Sequence, residues 1–129
     1  MSQILNVILK DGATTPADHT FTPVTPQFGT SPAEWREKNV SIRLGDKVLM
    51  LSTVIGNTGT RKTKGSMALP EIATINGKPT VIGISRFNFE VIVPEGVNLQ
   101  STKDIAAFFK NFAALDIVRL AIIDGEIVY

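Results

Sequence analysis

Three basic side chains fall within four consecutive residues, Arg61 to Lys64, in a stretch that alternates in character. On an extended chain Lys62, Lys64 and Ser66 project to one side, and Thr63, Gly65, Met67 and Leu69 to the other. Two ammonium groups and a hydroxyl on one strip can pair with phosphate. The stretch SRFNFEVIV, Ser85 to Val93, alternates as strictly. Ser85, Phe87, Phe89, Val91 and Val93 make an apolar side; Arg86, Asn88, Glu90 and Ile92 make the other. Laid beside the lysines, Arg86 and Asn88 would add a guanidinium for phosphate and an amide for base edges. Lys47, at the head of a third β-rich stretch, is a further cation for phosphate. This set holds no aromatic side chain on which a base could stack.

Other chemistries find little support. GNTGTRKT, Gly56 to Thr63, nearly fits the phosphate-binding loop G-x-x-x-x-G-K-[ST], but Arg61 stands where the second glycine is required. That motif also opens a helix, and KGSMALP is a poor helix, so a turn between two strands is the better reading. His19, the single histidine, follows Asp18 in what reads as a surface hairpin, and an exposed turn residue is expected there. Glu34 and Glu37 sit among Arg36 and Lys38 as a solvated mixed-charge segment. No catalytic residue, metal site or cofactor is expected, and the absence of cysteine removes thiol ligands and disulfides.

A chain of 129 residues suits one domain, and a hydrophobic content of 43% supplies a core. Charged residues, at 19%, fall short of the usual quarter, which suggests that a partner covers some surface. The net charge of +1 does not by itself mark a nucleic-acid binder. The opening MSQILNVILKDG lacks a basic n-region, so no signal peptide is expected, and no apolar run approaches the ~20 residues of a membrane span.

The elements that must position these residues are mostly strands. Ile4 to Leu9 and His19 to Val24 read as a hairpin turned by DGATTPAD. TPQFGTSP is an irregular connection, Ser41 to Leu44 a short strand, and Lys47 to Ile55 a stronger one. Arg61 to Leu69 is ended by Pro70. ATINGKPT forms a loop turned by Asn76-Gly77, and Thr80 to Val93 is a long strand. The period then changes. Ile105, Phe108, Phe109, Phe112 and Leu115 mark an amphipathic helix with Ser101 or Thr102 as N-cap. Asp116 to Ile123 fits helix or strand on periodicity, and EIVY is a short extended tail. Strands followed by helices give an α+β layout, with the phenylalanine side of the sheet as the seat for the helices and the lysine side left bare.

Several of these stretches resemble the coat proteins of the small single-stranded RNA bacteriophages, the levivirus group. NVILKDGATTPADHTFTP is similar to the N-terminal hairpin of some members, PAEWREKN to the segment before the main sheet, and TRKTKGSMALPEIATINGKPTVIGISRFNFEVIVP to the central strands and their loop. GEIVY resembles the family's short terminus, so the resemblance spans the chain. It implies one coat-protein domain over 1–129: an N-terminal hairpin over 1–25, a five-stranded antiparallel sheet over 40–94, and two helices over 101–124. It also implies an intertwined homodimer with a continuous ten-stranded sheet, in which Ile105, Phe108, Phe109 and Phe112 meet the partner. Dimers would build a T=3 icosahedral shell, with Thr74, Ile75, Asn76, Gly77, Lys78 and Pro79 as the inter-dimer loop at the symmetry axes.

The bare face would then meet single-stranded genomic RNA and an RNA hairpin that represses replicase translation. By position, Lys62 falls on a basic RNA contact, Lys64 and Ser66 near a bound adenine, and Asn88 on a base or ribose contact. Arg86 stands where several relatives have a stacking Tyr, and Leu49 and Leu51 where relatives carry small hydroxyl residues. The expected RNA set is thus Lys47, Arg61, Lys62, Lys64, Ser66, Arg86, Asn88 and Glu90. A maturation protein is an implied further partner, no membrane is involved, and the place of action is the virion, assembled in the bacterial cytoplasm. The rivals are a non-viral dimeric RNA-binding module using the same face and, more remotely, a nucleotide-using enzyme built on Gly56 to Thr63.

Overall fold

The computed structural model describes residues 3–39 and 41–128. The expected main sheet begins on residue 40 and the expected tail ends on Tyr129; both of those positions lie outside the described residues. The chain divides into two compact units, Met1–Ile92 and Val93–Tyr129.

The first unit is built on one antiparallel sheet of six strands in sequence order: β1 (Val7–Lys10), β2 (Asp18–Thr25), β3 (Ala33–Glu37), β4 (Lys47–Ile55), β5 (Arg61–Ile75) and β6 (Lys78–Val93). The N-terminal hairpin is present, with Val7 opposite Phe21 and Leu9 opposite His19. It continues directly into the sheet through β2 and β3, Thr22 facing Arg36. The sheet therefore has six strands, where a separate hairpin and a five-stranded sheet were expected.

Two differences set this sheet apart from the expected one, the first in strand number and the second in strand length. Ala33–Glu37 is a strand although three of its five residues are charged, because Trp35 between them is buried and the charges pair with neighbours. The indole N–H of Trp35 donates to the Leu5 carbonyl at 2.8 Å, which satisfies its polar atom where the ring is covered. The second difference is Pro70, which does not end its strand. The β4–β5 ladder stops at Val48 opposite Ala68, so Pro70 lies past the point where β4 would need its missing N–H. The expected loop around Asn76-Gly77 shrinks to those two residues, with φ of 52° and 76°. A two-residue turn with both φ positive matches the twist of its flanking strands.

Ser41–Leu44 is not a strand; a single 3₁₀ turn, Arg43–Gly45, occupies it. Gln27, in the irregular connection, extends the sheet with its side chain. Its amide nitrogen donates to the Thr53 carbonyl at 2.7 Å and its oxygen accepts from the Thr53 N–H at 2.9 Å.

In the second unit α1 (Leu99–Ala113) starts at Asn98, whose side chain accepts from the Ser101 N–H at 2.8 Å. The cap thus lies upstream of the expected Ser101 or Thr102. Asp116 to Ile123 resolves as helix: α2 (Asp116–Asp124) has Asp116 in its first turn and ends on Gly125 in the left-handed region. Neither helix has a buried residue, although both carry apolar faces.

Gly65 on β5 is required by close approach, since a Cβ there would fall within the ring of Phe89 on β6. Gly65→Val should destabilise the chain by about 1–3 kcal/mol, measured by denaturant unfolding. Adding Phe89→Leu should recover part of the loss, and a full-stability single variant would refute this packing.

Candidate nucleic-acid interface

Directly opposed residues of an antiparallel ladder point to the same face. The pairs Val54–Lys62, Ser52–Lys64, Met50–Ser66 and Val48–Ala68 therefore share one face of the sheet. The pairs Leu51–Gly65 and Leu49–Met67 share the other, where Phe89 covers Gly65. On the first face the Lys64 ammonium lies 3.3 Å from a Glu90 carboxylate oxygen, which brings β6 into the same surface. Alternation then sets Asn88 and Arg86 beside Glu90. An open hollow lies here, lined among others by Met50, Ser52, Lys64, Ser66, Asn88 and Glu90.

Most of the expected contact residues thus come together: Lys62, Lys64, Ser66, Arg86, Asn88 and Glu90. Two do not. Lys47 opposes Glu37 and binds its carboxylate at 3.0 Å, on the parity of Leu49 rather than of Lys64. Arg61 opposes Ile55 on the parity of Thr63 and Gly65. The register also corrects the pair placed at the small-hydroxyl positions. Leu49 and Leu51 belong to the covered face, and Met50 and Ser52 line the hollow; a slip of one residue exchanges the faces. Ser52 is buried and Lys64 exposed, so the hollow has a small hydroxyl wall and a cationic rim.

The same face extends to the mixed-charge segment Glu34 to Lys38, which is more than a solvated stretch. Glu34 opposes Met50 and Arg36 opposes Val48. Arg36 donates to Glu34 at 3.1 Å and lies 3.5 Å from buried Asp46; the Glu34 bond is the main reason its guanidinium is held above its usual range. A second hollow there is lined by Arg36, Lys38, Arg43 and Asp46, among others. The signal was available, because Glu34, Arg36 and Lys38 recur at every second position.

The inter-dimer set divides between Thr74 and Ile75 at the end of β5, the turn Asn76-Gly77, and Lys78 and Pro79 at the start of β6. Ile105, Phe108, Phe109 and Phe112 all lie on α1 and are exposed, Phe108 by 67%. Gly56 to Thr60 forms a tight turn between strands, with Gly59 N–H donating to the Gly56 carbonyl at 3.0 Å. No helix follows it, so it lacks the N-terminus a phosphate-binding loop requires. Among the described residues no cluster of acids and histidine suits a metal ion, and no helix is long and apolar enough to cross a membrane.

The sheet separates a cationic, hydroxyl-bearing face from one that carries an aromatic ring, and two amphipathic helices follow it in the chain. The levivirus coat protein family model matches residues 2–129, and the chain belongs to that family. Among solved structures, the virus-like particle of bacteriophage NT-214 is 32% identical, with 99% of this chain and 100% of that one covered and a TM-score of 0.92. The virus-like particle of Beihai levi-like virus 21 shares the fold at 21% identity, covering 99% of each chain with a TM-score of 0.88. The bacteriophage GA protein capsid does so at 20% identity, covering 97% of each with a TM-score of 0.76. No curated protein matches the chain.

Exposed ion pairs are worth about 0.2–1 kcal/mol, so Glu90→Gln should barely change the melting temperature. It should raise low-salt affinity for a single-stranded oligonucleotide severalfold by releasing Lys64. Unchanged affinity in a binding titration would remove Lys64 from the interface.

Proposed function

We propose that this capsid-family chain acts as one coat-protein domain that dimerises, assembles an icosahedral shell and holds single-stranded RNA on its lysine face. The observation that carries the proposal is the two-faced sheet: Lys62, Lys64, Ser66, Arg86 and Asn88 on one side, Gly65 under Phe89 on the other. Phosphates would pair with Lys62, Lys64 and Arg86, and a base would enter the hollow between Ser52, Ser66 and Asn88. The same hollow would take an RNA hairpin and so repress replicase translation.

Dimerisation is supported by the spacing of the apolar residues along α1, which gathers them on one face. The apolar stripe Ile105, Phe108, Phe109 and Phe112 would be buried by the second copy, with the two sheets joined edge to edge. Dimers would close a T=3 shell around the genome with the Asn76-Gly77 turn at the symmetry axes. A maturation protein would complete a virion assembled in the host cytoplasm.

Electron microscopy of the recombinant protein tests the assembly. Uniform RNA-filled shells are expected, and discrete RNA-binding dimers would point to a non-viral module. Lys62→Ala with Lys64→Ala should weaken RNA binding and lower the log–log salt slope by about 1.4, at ~0.7 per lost single-strand phosphate contact. Dimers should persist, and an unchanged slope would refute the assignment. Phe108→Ala should cost about 3–5 kcal/mol if the second copy buries the ring. Sedimentation should show monomers, and shells of normal stability would contradict the packing.

A further inference from the structure

The sequence places His19 in a surface turn, but the structure places it on β2 between two carboxylates. Its Nδ1 lies 2.9 and 3.0 Å from the Glu37 oxygens, and its Nε2 lies 2.9 Å from Asp11 Oδ2. These partners come from separate elements, Glu37 from β3 and Asp11 from the turn after β1. Both act as anions. Asp11 Oδ1 accepts from the Ala17 N–H at 3.0 Å and the Ala13 N–H at 3.1 Å, and Glu37 accepts from Lys47 of β4 at 3.0 Å. An ionised carboxylate only accepts hydrogen bonds, and a neutral imidazole has a single N–H. The geometry is therefore satisfied only by the imidazolium, which donates from both nitrogens.

We propose that protonated His19 is a side-chain latch that ties the β1–β2 turn to β3 in addition to the β2–β3 ladder, and that deprotonation undoes this tie and loosens the turn. Counting the groups that face it, Asp11 and Glu37 contribute two negative charges, Lys47 and His19 two positive ones. The neighbouring Lys10–Asp18 pair, at 2.8 Å, is neutral in sum. Losing the His19 proton leaves one uncompensated negative charge and sets a ring lone pair against a carboxylate. The hydrogen bonds to Glu37 and then Asp11 raise the His19 pKa above 6.5. The Ala17 N–H first, then His19 and the Ala13 N–H, pull Asp11 down to about 2. Burial pushes Glu37 up, and His19 and Lys47 together outweigh it, leaving Glu37 lowered.

The signs bound a window. The His19 contribution is whole below the ordinary histidine pKa and is lost as pH rises through the raised folded value. The carboxylate contributions are whole above the ordinary carboxylate range and are lost as pH falls through the depressed values. The latch therefore holds between the depressed carboxylate values and the raised His19 value, and opens as pH rises through the latter.

Because the chain has one histidine, its ring resonances can be followed without assignment in the full-length protein. The expected titration midpoint lies above 6.5, with both ring nitrogens protonated below it. Melting temperature should fall across that midpoint in the wild type and stay level in His19→Gln. Asp11→Asn should shift the midpoint downwards. A wild-type midpoint at or below 6.5 would overturn the proposal by itself, even if His19→Gln fails to fold. A His19→Gln variant that keeps the alkaline loss would overturn it equally.

Discussion

Lys64 pairs with Ser52 and Gly65 with Leu51, and these two neighbouring rungs separate the chemistries of the molecule. A pleated strand alternates its side chains without exception along a regular ladder, so the β4–β5 register decides which residues meet solvent and which meet an aromatic ring. Ser52 and Met50 form the hollow because of it, and Leu49 and Leu51 are directed away. Phe89 over Gly65 holds β6 close to β5 on the apolar side, and Lys64 with Glu90 joins the same strands on the polar side. Each face of this strand pair is therefore tied across by its own interaction.

The cationic strip was legible in the sequence because alternation is local information: Lys62, Lys64 and Ser66 needed only their own spacing. Lys47 was misplaced because its face depends on its partner strand. That strand, Ala33–Glu37, was itself obscured by charge. A central strand with Glu, Arg and Glu around one Trp reads as solvated until the ion pairs to Asp46, Lys47 and His19 are visible. Those pairs join residues separated by 10 to 18 positions, beyond the reach of any periodicity. Pro70 misled for a related reason, since a proline breaks a ladder only where a partner needs its N–H, and the end of β4 cannot be seen from β5 alone. The helix at Asp116 to Asp124 was undecided by period, and the resemblance to the phage coat proteins settled on the state found.

The helices and the sheet pose the same energetic problem from two sides. Among the described residues only Phe21, Trp35 and Val93 are buried hydrophobic side chains, although apolar residues make up 43% of the chain. Side chains left exposed contribute little towards offsetting the entropy of ordering the backbone. Membership in a family of shell-forming proteins accounts for this economy, because a subunit that always meets another copy can leave part of its core to the contact.

The amide of Gln27 presents both a donor and an acceptor to Thr53, imitating a peptide group at the point where β3 no longer reaches β4. An open strand edge invites another chain to add itself by hydrogen bonding. With that rung already filled, an incoming extended segment finds no vacant pair at Thr53. Where many copies gather at high local concentration, such a plug favours ordered contact through designated surfaces over indiscriminate strand exchange.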